Sequence, residues 1–67
     1  MSIARVTEIS ASSKKGFKDA IENGIKRADK TLDGIKSAWI EDQEVIVKEG
    51  NIDEYRVKMK VTFILKD

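Results

Sequence analysis

The chain contains no cysteine and no histidine. Without thiols there is neither a disulfide framework nor a sulfur nucleophile. Without imidazole there is no base of the usual kind and no common transition-metal ligand. Nucleophilic triads, zinc sites and haem ligation are excluded together. Long hydrophobic runs are missing as well: nothing approaches the roughly 20 apolar residues that cross a bilayer, so a soluble chain without a membrane partner is expected. Excess charge of one sign is also lacking. Lys plus Arg number 13 and Asp plus Glu 12, a formal net charge of +1, which supplies no bulk basic field for phosphate backbones and argues against nucleic acid as a partner. The opening Met1-Ser2-Ile3-Ala4-Arg5-Val6 has no basic segment, apolar stretch or small-residue cleavage site of a secretory signal, so a reducing cytoplasmic location is expected.

What is present is globular in composition. Hydrophobic residues make up 40% and charged residues 37% of 67 positions, the balance of a small folded unit with a heavily solvated exterior. At this length one domain, residues 1–67, is the most that fits, and folding alone hides only about 60% of the unfolded surface. Small domains without disulfides or metal often gain the missing core by self-association.

Ile3 to Ile9 reads as a first strand, followed by the hydroxyl cluster Ser10-Ala11-Ser12-Ser13. Ser13, or Ser12 nearly as well, is the expected helix N-cap, because its oxygen can accept from the free amides of a first turn. Phe17, Ala20, Ile21, Ile25, Ala28 and Leu32 recur at spacings of three and four, predicting a helix of about 18 residues, or about 27 Å, with one apolar side. Glu22 and Lys26 form an acid-before-base pair at the spacing of one turn, worth about 0.3–0.5 kcal/mol. Gly24 inside the helix suits close approach to a sheet, and Gly34 suits a left-handed residue just past the helix end. Ile35 to Lys48 is the expected second strand, with a bend or bulge near Asp42-Gln43-Glu44. Glu49-Gly50-Asn51 reads as the hairpin connection, with positive φ tolerated at Gly50 and Asn51. In the third strand Tyr55, Val57, Met59, Val61, Phe63 and Leu65 alternate strictly with Glu54, Arg56, Lys58, Lys60, Thr62 and Ile64, so that one row faces the helix and the other meets water or a partner. The fold class expected is α+β, a β-α-β-β unit whose three-stranded antiparallel sheet wraps partly around a single helix. One helix cannot cover both faces of that sheet.

Ser12-Ser13 with Gly16-Phe17 at the helix start, Ala28-Asp29-Lys30-Thr31-Leu32 at its end, and Glu54-Tyr55-Arg56-Val57 leading into Val61-Thr62-Phe63 together resemble the dodecin family, from Ile9 to the end of the chain without an internal gap. The resemblance implies a hollow homododecamer that binds and stores a planar flavin (riboflavin, FMN or FAD) without catalysing a reaction. Flavin-binding members stack flavin pairs between tryptophans at the start of the second strand and hold the ring's polar edge with a glutamine in the third. By resemblance the tryptophan position is Ser37 here and the glutamine position is Arg56, two departures that bear on the ligand. Asp42 aligns with an acidic position on the polar side of the family's pocket, and Gln43 stands beside it.

Each candidate has a plainer role to set against the functional one. Trp39 lies two residues beyond Ser37, on the same strand face roughly 6.6 Å further along, where it serves either as a displaced stacking platform or as packing between subunits. Arg56 either donates to a ligand's carbonyl or phosphate, or pairs across strands with Glu41, Asp42 or Glu44, at a gain of about 0.2–1 kcal/mol. Glu41, Asp42 and Glu44 form an acidic group that, repeated around a symmetry axis, offers hard oxygen ligands to Ca²⁺ or Mg²⁺, although the spacing is not that of a helix-loop-helix calcium site. Lys58 and Lys60 are a solvated face or an attraction for a phosphate-bearing ligand. No catalytic residues are assigned. The expected function is storage of a flavin-type ligand, with a cation-binding shell as the alternative and a small adaptor with an exposed sheet edge as a third reading.

Overall fold

A computed structural model describes residues 3–65. The elements run β1 (Ile3–Ser13), α1 (Phe17–Asp29), β2 (Ile35–Lys48) and β3 (Asn51–Leu65). They form the expected β-α-β-β unit with one antiparallel three-stranded sheet, in the order β1-β3-β2. The strictly alternating strand is therefore the central one. Its inward row, Val57, Met59, Val61 and Phe63, is buried, and Ala20 and Ala28 of α1 are buried against the sheet. Ile9, Ala11, Phe17, Ile21 and Ile25 complete the packing around this core. Phe17 and Tyr55 meet edge to face with ring centres 5.1 Å apart, an arrangement worth about 0.5–1.5 kcal/mol beyond the area it hides. Leu65, at the end of the same row, is 38% exposed.

Close approach of helix and sheet is achieved at Gly24. A Cβ there would stand 2.8 Å from Met59 Cε and 2.9 Å from Ala11 Cβ. The hairpin is tighter than expected: Lys48 pairs with Asn51, and the two turn residues, Glu49 (φ 51°) and Gly50 (φ 79°), carry the positive φ rather than Gly50 and Asn51. Both residues positive is the turn whose twist matches a right-handed ribbon.

Several expectations are corrected. Ser13 does not cap the helix; β1 runs on to Ser13, and Gly16 occupies the N-cap without a side-chain bond. Ser13 still governs the junction, because its hydroxyl accepts from the Lys15 amide at 2.9 Å and donates to Asp19 Oδ2 in the first turn at 2.6 Å. The helix has 13 residues, about 20 Å at 1.5 Å each, instead of 18. Leu32 lies outside it, although its amide donates to Ala28 O at 2.8 Å and keeps the chain coiled for one more turn. Gly34 does have positive φ (74°), but it leads into β2 and its carbonyl accepts from Ile64 N at 3.3 Å. Glu22 pairs with Lys18, at 3.9 Å, not with Lys26.

Candidate ligand-binding site

The helix packs chiefly on β1 and β3, so the opposite face of the sheet is left open. Register decides what stands on it. Arg56, Lys58, Lys60 and Thr62 form the outward row of β3, and their β1 partners are Ser12, Ser10, Glu8 and Val6. On β2 the partners of the same four are Glu44, Asp42, Trp39 and Ser37. The odd step between Trp39 and Asp42 comes from an irregularity between Ile40 and Asp42, where Glu41 has no Cα partner. This extra residue lets Trp39 and Asp42 share a face although they are three apart. The bulge lies one residue ahead of the segment singled out in the sequence.

A trough of about 620 Å³ runs across this face, lined by Ser10 and Ser12 from β1, Asp42, Gln43 and Glu44 from β2, and Glu54, Arg56 and Lys58 from β3. Its volume falls in the range of about 300–1,000 Å³ usual for small-molecule sites. Three of the candidate binding residues, Asp42, Gln43 and Arg56, are thus brought together. Gln43 pairs with Val57, which assigns it to the helix-side row, so it reaches the trough from its wall. Ser37 and Trp39 stand on the same face but further along, outside the trough lining. Trp39 is 51% exposed, and the Lys60 ammonium lies over its ring, 6.0 Å from the centroid.

Electrostatic pairing differs from the expected pattern. Arg56 does not bond across strands to Glu41, Asp42 or Glu44; its Nε donates to Glu54 Oε1, two residues away on its own strand, at 3.1 Å. That bond, with a second from the Ser12 hydroxyl, holds the Glu54 carboxyl below its usual value of 4.5. Glu41 is engaged by Lys60 at 3.9 Å. Of the acidic group, Asp42 and Glu44 line the trough and Glu41 does not. Among the described residues no three acidic side chains gather closely enough to hold a metal ion. Ser10, Ser12 and Glu54 are site residues that sequence reasoning missed. Glu54 could have been found from the outward row of β3, to which it belongs, whereas the two serines depend on the β1–β3 register.

An antiparallel sheet backed by one helix, with a ligand-sized polar trough and a half-exposed tryptophan on its open face, defines a small α+β binding subunit. The chain belongs to the dodecin family, whose profile matches residues 3–66. Among solved structures it is similar to the dodecin from Streptomyces davaonensis, with 35% identity, a TM-score of 0.94, and coverage of 98% of this chain and 97% of that one. A variant of Thermus thermophilus dodecin matches at 25% identity and a TM-score of 0.94 over the whole of both chains. A Mycobacterium tuberculosis protein described as calcium dodecin, a calcium-chelating immunodominant antigen, matches at 28% identity and a TM-score of 0.82, covering 96% of this chain and 91% of that one. Against curated protein sequences no significant match is found. Among the described residues, no helix is long and apolar enough to cross a membrane.

Proposed function

We propose that this protein is a non-enzymatic binding and storage protein for a flavin-type ligand, acting as a hollow homododecamer of one dodecin-like domain per chain. The observation that carries this reading is the open sheet face, where a ligand-sized trough containing Asp42, Gln43 and Arg56 adjoins the exposed Trp39. The donor set suits a flavin ring's polar edge. Arg56 and Lys58 donate to its carbonyl oxygens, and Asp42 accepts from its ring N–H. Trp39 supplies an aromatic surface for the ring, displaced one residue pair along the strand from Ser37. Copies of the chain close the pocket, and no bond is made or broken in it.

The test is a titration of riboflavin, FMN and FAD against purified protein, read as quenching of flavin and of Trp39 emission. Saturable quenching of both supports the reading, and its absence at high protein concentration overturns it. A second reading has one specific support, the calcium-binding description of the mycobacterial relative. Glu41, Asp42 and Glu44 from neighbouring copies then hold Ca²⁺ or Mg²⁺ at an axis of the shell. A rise in melting temperature with millimolar Ca²⁺ and no flavin quenching would favour it.

A further inference from the structure

We infer that the open-face site discriminates by charge, taking the uncharged flavin, riboflavin, in preference to the phosphorylated flavin nucleotides. This rests on the flavin reading above and names the ligand class within it. The trough sets three carboxylates, Asp42, Glu44 and Glu54, against two cations, Arg56 and Lys58. Arg56 is already engaged by Glu54 at 3.1 Å. Lys58 stands opposite Asp42 and Ser10. The next cation along the row, Lys60, is held by Glu41 at 3.9 Å.

The outward row of β3 looks basic only when read by itself. Its partners on the flanking strands leave no uncommitted cation cluster for a phosphate, while the chain as a whole is net positive at +1. Excess negative charge therefore lies on the ligand side of the sheet. A phosphate monoester brings about −1.5 to −2 at neutral pH, and copies of the same chain can add only more of the same lining. The isoalloxazine ring of riboflavin carries no such charge and asks only for donors, acceptors and an aromatic surface.

The experiment compares riboflavin and FMN by fluorescence quenching at low and high ionic strength. Like-charge repulsion across a solvent-accessible trough is worth about a tenfold difference in affinity at low salt, with riboflavin the tighter ligand. The gap should close toward 1 M salt, where screening reaches within about 3 Å. In the double variant Asp42→Asn/Glu44→Gln, FMN binding should strengthen several-fold more than riboflavin binding. Wild-type protein that binds FMN as tightly as riboflavin, or more tightly, overturns the charge selection and leaves flavin storage standing. Failure of both ligands to quench overturns the two together.

Discussion

Gly24 has no side chain where the helix comes down on the sheet, and the two atoms that a methyl group would strike are not equivalent. Met59 Cε is the mobile end of a thioether and can swing aside, whereas Ala11 Cβ is fixed to the backbone of β1. Gly24→Ala thus forces helix and strand apart. Overpacking of this kind costs about 1–3 kcal/mol, and the helix propensity gained returns less than about 1 kcal/mol. The expected result is a fall in melting temperature of several degrees at fixed protein concentration; an unchanged or raised melting temperature would show that the contact is slack. Acid stability also belongs to single residues. A hydrogen bond from Lys14 at 3.2 Å, with Lys48 at 3.8 Å, holds Asp53 below its usual 3.8, against a small opposing effect of desolvation. Arg56 does the same for Glu54 below 4.5. Because both folded values are depressed, the stabilisation is complete above the unfolded values and is lost as pH falls through the folded ones. Thermal melts should therefore show Asp53→Asn/Glu54→Gln losing less than the parent between pH 5 and pH 3, and parallel losses would refute the assignment.

At the scale of elements, legibility tracked how local the determinant is. The inward row of β3 was plain because alternation is written in the strand itself, and the structure buries it from Val57 to Phe63. The helix end was not plain, because Leu32 continues the apolar period past Asp29 and hydrogen-bonds back to Ala28 O. Nor was the far half of β1. Ser10 to Ser13 carry the hydroxyls of a cap, but pairing with Lys58, Val57, Arg56 and Tyr55 overrides that local preference. Arg56, Asp42 and Trp39 were found because charge and aromaticity identify them alone. Their relation to Ser10, Ser12 and Glu54 exists only through the register of strands distant in sequence. The hairpin offers an element-scale test. Glu49 adopts φ 51°, a conformation that costs a non-glycine residue about 1–2 kcal/mol but that Asn tolerates. Glu49→Asn should raise the melting temperature by a few degrees, and Gly50→Ala, at φ 79°, should lower it; a reversed order would contradict the turn geometry.

As a whole molecule the chain is too extended to be self-sufficient. A compact protein of this length has a radius of gyration of about 11 Å, against 13.8 Å here, with extents of 52 × 19 × 13 Å. Its accessible surface is 5100 Å², where a compact monomer of this mass exposes about 4,300 Å². The excess goes with the β2–β3 ribbon, which runs beyond the end of β1 and leaves Val47 and Ile52 more than half exposed, and with the open face bearing Trp39 and Val6. Apolar surface in this amount on so small a chain is the material of a subunit contact. Since association then stabilises the fold by mass action, the melting temperature should rise with protein concentration wherever dissociation accompanies unfolding, and a concentration-independent value from reversible melts would contradict this. The central claim, that copies of the chain close the open sheet face, is tested most directly by light scattering on a size-exclusion column at micromolar concentration. The account predicts a single species of about twelve times the 7.6 kDa chain mass; a stable, folded species at the mass of one chain would contradict it.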